Sequence, residues 1–236
     1  MFYSRQHSLL FIACPKTGST SVEEFLAAID ANGERFTITL DHRQFTSADV
    51  HSPSLAHATA REFRILLGAE LYSSLATFGF VRHPIEKLVS TYFFNRQGRL
   101  VDRLAIRKPT LHGTLNVIAR QVSGHLLARI LPFSFWVRIW PMKRCCDYFM
   151  DESGTIIVRH LGLTERLHTD LLEILRKIGV DYNERKVPHV NQSEHRDPWS
   201  YIASARLRSA LETKYSRDLA LYELVRDQPI EVEAAT

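Results

Sequence analysis

Cysteine is scarce: 236 residues hold three, Cys14, Cys145 and Cys146. Three cysteines at such spacings do not make a disulfide framework, and they favour a reducing compartment. No C-x-x-C pair suggests structural zinc. The eleven histidines lack H-E-x-x-H or similar ligand spacing, so no metal site is expected. A dominant charge sign is missing too. Thirty basic against 26 acidic residues leave +4, which suits an anionic ligand but is too balanced to imply a nucleic-acid partner. The opening residues 1–8 run almost at once into an apolar segment, leaving no room for a signal peptide or anchor helix. Also absent are G-x-x-x-x-G-K-[ST], the nucleoside-triphosphatase loop, and a G-x-G-x-x-G at any strand-to-helix junction.

With 45% hydrophobic residues the chain can bury a sizeable core. One α/β domain over residues 1–226 is expected, with a mainly parallel sheet and helices on both faces in three layers, followed by a frayed acidic tail over 227–236.

The stretch that organises the rest is Leu9-Leu10-Phe11-Ile12-Ala13-Cys14, running into Pro15-Lys16-Thr17-Gly18-Ser19-Thr20-Ser21. A continuous apolar run reads as a buried parallel strand, and Val22, Phe25, Leu26 and Ile29 then recur at helical spacing. A tight turn at Gly18 aims backbone N–H groups at one spot, a helix N-terminus, with Lys16 and several hydroxyls beside it. That is a phosphate site. A Ser/Thr-rich helix cap with a solvated lysine gives the same pattern.

A second strand-to-helix junction follows. Thr77-Phe78-Gly79-Phe80-Val81 reads as a strand ending in Arg82-His83-Pro84, and Ile85, Leu88, Val89, Tyr92 and Phe93 then recur at helical spacing. Arg82 ends the strand and Ser90 lies about two turns into the helix. A guanidinium and a hydroxyl so spaced suit another phosphate.

P-K-T-G-S-T-S after an apolar strand resembles the 5′-phosphosulfate loop of sulfotransferases, and F-V-R-H-P-x-x-K-L-V-S-x-Y resembles their 3′-phosphate motif. His83 stands where Asp or Asn is usual there, and Lys87 where Arg is usual. The resemblance implies the sulfotransferase P-loop-like fold. It also implies PAPS (3′-phosphoadenosine 5′-phosphosulfate) as donor and sulfation of a hydroxyl or amine on a carbohydrate or glycolipid acceptor, without a metal. Lys16, Thr17, Gly18, Ser19, Thr20 and Ser21 would bind the 5′ side, and Arg82 and Ser90 the 3′-phosphate. Golgi members of the family carry an anchor and stem before this loop, so by the resemblance the chain reads as a soluble, bacterial-type cytoplasmic version or a piece trimmed of its anchor.

Transfer to a hydroxyl needs a proton acceptor, and His57, in H-A-T-A-R-E, resembles a segment of bacterial relatives and is the candidate base. His51, His42 and Asp41 are alternatives, and a surface or capping histidine reads the same way. Val187-Pro188-His189-Val190-Asn191-Gln192-Ser193 resembles a loop preceding the last helix in the family, and a C-terminal helix over 201–224 carries Tyr215 and Asp218. Glu165 is taken as structural.

Phe36–Leu40 reads as a strand completing a parallel strand–helix–strand unit. Thr59–Leu67, closed by Gly68, reads as a helix, 155–158 as a buried strand, and Leu167 to Ile178 as another helix. The apolar tract 126–142, broken by Arg129, Pro132, Arg138 and Pro141, is no transmembrane span. It reads as packed helices over the sheet, an apolar acceptor pocket or a peripheral membrane contact. A P-loop nucleotide kinase and a non-catalytic relative binding PAP or a sulfated glycan are the other functional readings.

Overall fold

A computed structural model describes residues 1–35, 37–40, 42–50, 55–97, 123–182, 186–188, 197–202, 204–227 and 230–231. In chain order the elements are β1 (Phe2–Ser4), β2 (Leu9–Phe11), α1 (Ser19–Ile29), β3 (Ile38–Leu40), β4 (Arg43–Phe45), α2 (Ala60–Leu67), α3 (Ala69–Ser74), β5 (Ala76–Val81) and α4 (Pro84–Gln97). A helix α5 over 123–130 follows. Then come α6 (Phe133–Ile139), α7 (Cys146–Phe149), β6 (His160–Leu163), α8 (Leu167–Lys177), α9 (Ala205–Lys214), α10 (Ser216–Asp227) and β7 (Ile230–Glu231).

These elements fall into two compact units. One holds Met1–Arg82, Arg144–Asn191 and Arg217–Thr236; the other holds His83–Lys143 and Gln192–Ser216.

The first unit is α/β. Its five-stranded sheet has the order β1-β2-β5-β6-β7. The β2–β5 and β5–β6 pairs are parallel, with antiparallel β1 and β7 at the edges. Side chains alternate across a strand, and β2 shows why an uninterrupted apolar run was needed. Leu9, Phe11 and Ala13 enter one core with Val22, Phe25 and Leu26 of α1 and Leu171 and Leu175 of α8. Leu10, Ile12 and Cys14 enter the other with Phe63 of α2, Tyr72 of α3, Phe149 of α7 and Leu221 of α10. Both faces are covered, as expected. Two glycines are fixed by close approach: a Cβ on Gly79 would sit 2.3 Å from the Phe149 ring, and one on Gly162 2.6 Å from the Phe80 ring.

Three expectations need correction. Of the run 36–40, Phe36 lies outside the described residues, and 37–40 do not complete a parallel unit with β2. Only β3 forms there, and it pairs antiparallel with β4 in a separate two-stranded sheet. Of its three residues only Ile38 is buried, too little to lie between two helical layers, and β5 takes the place beside β2. Residues 155–158 form no strand: Thr155 closes a turn by accepting from Asp151 N at 2.9 Å, and Ile156 makes only an isolated bridge to Met150. The paired strand is β6, a few residues later. The C-terminal helix is interrupted as well. A 3-10 turn at Pro198–Tyr201 precedes α9, whose N-cap Ser204 accepts from Leu207 N, and α9 and α10 are separate helices that break at Tyr215.

The helices expected over 59–67 and 167–178 form. Thr59 and Glu62 form a reciprocal capping box on α2, and α8 closes toward Gly179, whose φ is +75°. The tail expected to be frayed over 227–236 is corrected in part: Ile230–Glu231 pair antiparallel with β6, and residues 228–229 and 232–236 lie outside the described residues.

The second unit is helical. Ile85, Leu88, Val89 and Tyr92 of α4 pack with Ala128 of α5, Phe133, Trp136 and Val137 of α6, and Leu207 and Leu211 of α9. The tract 126–142 is thus largely packed helix within this unit.

Candidate active site

Both phosphate-type junctions start at carboxyl ends of neighbouring parallel strands. Leu9, Leu10 and Phe11 of β2 register with Ala76, Thr77 and Phe78 of β5, and Ile12 N donates to Phe78 O at 2.8 Å. In parallel sheets that end is where ligands bind.

After β2 the backbone folds tightly. Lys16 has φ +68° and Gly18 +76°. Glycine adopts this region freely, whereas a left-handed lysine costs about 1–2 kcal/mol, a strain that recurs at active sites and ligand clamps; Ser8 and His42 also have positive φ. Thr17 is fully buried, and its hydroxyl donates to Cys14 O at 2.9 Å, so it staples the loop from inside. Gly18 is also hemmed in, since a Cβ there would reach 3.0 Å from Leu167 at the start of α8.

The loop delivers the chain into α1 with Gly18 as N-cap, without a side-chain cap and without an acidic residue in the first turn. Its N-terminal N–H groups and positive dipole end meet no capping carboxylate from this helix. Ser19 is half-buried, Thr20 exposed and Ser21 buried.

Arg82 follows β5 and turns back to this loop: its Nη1 donates to Lys16 O at 3.3 Å. The two sequence motifs are therefore in contact through Arg82 and the lysine backbone. At the end of β6, Thr164 donates its hydroxyl to Val81 O at 3.0 Å, fixing the strand end from which Arg82 springs. Sequence reading did not single out Thr164 or the internal use of Thr17; the only signal for the latter was a hydroxyl three residues after Cys14, where a turn can close.

His57 ends a short 3-10 turn and is exposed, with Nδ1 3.4 Å from Ala13 O. It stands beside the last residues before the loop. His42, with φ +65°, is exposed between β3 and β4, and Asp41 and His51 lie outside the described residues. So do His189, Asn191 and Ser193 of the loop resembling the family's.

Behind the loop, Cys14 and Cys145 bring their sulfurs to 3.7 Å, both fully buried. Asp218, also fully buried, accepts from the N–H groups of Cys145 and Cys146 at 2.9 Å each. Burial, and then the Asp218 carboxylate, push the Cys146 thiol up to about 12.

Within the helical unit, Ser90 is buried on α4. His83 explains its own departure from the Asp or Asn of the resemblance. Its Nδ1 accepts from Ile85 N at 3.3 Å, the bond that an Asp or Asn N-cap would make. Lys87, almost fully buried, donates to Lys143 O at 2.9 Å.

Among the described residues no three His, Cys, Asp or Glu side chains gather as metal ligands would, and no helix is long and apolar enough to cross a membrane. A family model described as the sulfotransferase family matches residues 1–225. No match is found among curated proteins or solved structures.

Proposed function

The chain belongs to the sulfotransferase family, and from that premise we propose that it moves the sulfuryl group of PAPS to a hydroxyl of a carbohydrate or glycolipid acceptor. The carrying observation is the junction of an uncapped helix start, a left-handed lysine and a strand-end arginine joined by the Arg82–Lys16 bond. A guanidinium held against the backbone of a loop that leads into a helix N-terminus, with a lysine in that loop, suits a ligand with several anionic groups.

In this reading the N–H groups from Thr17 to Thr20, with the Ser19, Thr20 and Ser21 hydroxyls, hold the 5′-phosphate. Lys16 meets the oxygen bridging phosphorus and sulfur. Arg82 and Ser90 hold the 3′-phosphate. The acceptor oxygen forms a bond to sulfur while the bridging S–O bond breaks, and the electron pair leaves with PAP (3′-phosphoadenosine 5′-phosphate). The transition state is loose, as in phosphoryl transfer, so positioning and charge stabilisation dominate. Lys16 neutralises charge that grows only as the bond breaks, which raises turnover more than affinity.

The acceptor proton goes to His57. A backbone carbonyl can only accept, so the contact with Ala13 O requires hydrogen on Nδ1 and leaves Nε2 as the basic nitrogen of the neutral ring.

Thermal-shift binding tests this directly, with PAP, PAPS, AMP and ATP plus magnesium as separate ligands. PAP and PAPS should stabilise the protein and AMP should do so far less. Radiolabelled sulfate transfer to panels of glycans, glycolipids and phenols then identifies the acceptor. Stabilisation by ATP only with magnesium, and none by PAP, overturns the reading in favour of a kinase. PAP binding without transfer to any acceptor favours a non-catalytic relative.

A further inference from the structure

Helices α5 and α6 are apolar on two sides. Ala128, Phe133, Trp136 and Val137 fill the core of the helical unit. On the outside, Leu126 and Ile130 of α5 are 49% and 74% exposed, and Phe135 and Ile139 of α6 are 61% and 57% exposed. Each exposed pair is spaced i, i+4, one strip along its helix. A short helix that is apolar outward as well as inward needs something to cover it.

Charge says what covers it. Residues 123–143 contain no Asp or Glu and three basic residues, Arg129, Arg138 and Lys143, all exposed. Arg129 precedes Ile130 in α5 and Arg138 precedes Ile139 in α6. Arg129 also donates from Nε to Arg96 O at 3.3 Å, which holds its stem at the end of α4.

We propose that this face docks on an anionic lipid surface, with Leu126, Ile130, Phe135 and Ile139 entering the headgroup boundary and Arg129, Arg138 and Lys143 pairing with phosphate headgroups. Short helices with bulky apolar side chains flanked by Lys and Arg lie in the interface plane. A second copy of the chain fits less well. A two-fold interface sets the same patch against itself, so three cations would face three cations without a carboxylate from this stretch. An anionic bilayer supplies the opposite charge. The inference does not depend on which donor or acceptor the enzyme uses.

The test is co-sedimentation of the full chain with vesicles of one-third phosphatidylglycerol and two-thirds phosphatidylcholine, against pure phosphatidylcholine. The expected result is binding to the anionic vesicles alone, weakening as salt is raised. Two variants separate the contributions: Phe135→Glu with Ile139→Glu, and Arg129→Gln with Arg138→Gln and Lys143→Gln. The first should lose vesicle binding. The second should weaken it by roughly 100-fold, at about fivefold per cation near the surface. Circular dichroism and melting temperature check that both remain folded, as exposed positions predict. The proposal is overturned if the parent protein stays in the supernatant, if it binds neutral vesicles equally well, or if both variants bind like the parent. It is also overturned if sedimentation velocity without lipid shows a dimer that Phe135→Glu abolishes.

Discussion

Arg82 Nη1 donates to the backbone carbonyl of Lys16 at 3.3 Å, across 66 residues of sequence, so the arginine that would grip one phosphate also braces the loop that would grip the other. Removing it acts twice, through a lost charge-assisted contact and a loosened loop.

For Arg82 we expect PAP to bind far more tightly than AMP, and Arg82→Ala to abolish the difference. One desolvated bidentate contact is worth about 2–4 kcal/mol, or roughly 30- to 1000-fold in affinity. Isothermal titration with both nucleotides measures it. Equal affinity of the unmutated protein for PAP and AMP would sink the donor assignment.

Lys16 allows side chain and backbone to be separated, because its φ of +68° suits glycine. Lys16→Ala should lower turnover by about two or more orders of magnitude while weakening PAP binding less. Lys16→Gly should show the same catalytic loss with a melting temperature equal to or above that of Lys16→Ala, since glycine adopts the left-handed region without steric cost. Lys16→Arg should rescue poorly, a planar fork being unable to replace a point charge. Parent-like turnover in Lys16→Ala would remove the lysine from the mechanism.

Much of the site was legible because its signals are local. An apolar run buried on both sheet faces, a glycine with φ of +76° and a proline opening α4 each leave a mark within a few residues. What could not be read depended on partners distant in sequence. The alternating pattern of 36–40 gave no hint that β4 rather than β2 would pair with it, and the apolar residues at 156–158 concealed that β6 starts at His160. His83 looked like a departure until its ring was found making a cap bond to Ile85 N. The inward bond of the Thr17 hydroxyl to Cys14 O left no mark in the sequence beyond their spacing of three.

The wall behind the loop depends on Asp218. Asp218→Ala would leave the buried N–H groups of Cys145 and Cys146 without their acceptor, a loss of about 3 kcal/mol. For a chain of this size that lowers the melting temperature by roughly 10 °C, and a calorimetric scan within 2 °C of the parent would contradict it.

The Cys146 thiol adds a pH dependence. An unfolded thiol ionises near 9.0, whereas burial first and the Asp218 carboxylate second raise it to about 12 in the fold. Between those values the unfolded chain loses a proton that the native chain keeps. Stability should therefore be independent of this thiol below pH about 9 and fall above it, by at most about 1.4 kcal/mol per pH unit. Urea titrations at rising pH, comparing the parent with Cys146→Ala, read the difference; parallel curves for the two proteins would exclude the effect.

His57 is the sharpest test of the chemistry, because its predicted phenotype differs from those of the phosphate-binding residues. A base touches the acceptor and not the nucleotide, so His57→Ala should lower turnover by about 100-fold or more while leaving PAP affinity nearly intact. The exposure of its ring and the contact of Nδ1 with Ala13 O imply that substitution will not unfold the protein. His57→Gln separates two roles: a glutamine can still hold a hydrogen bond to an acceptor hydroxyl but cannot take its proton near neutrality. If His57 only positions the acceptor, His57→Gln recovers most of the lost turnover. If it is the base, His57→Gln stays as slow as His57→Ala, and the acidic limb of the parent's kcat/KM profile disappears in both variants. Turnover at the parental rate in His57→Ala would move the role to His42, His51 or Asp41.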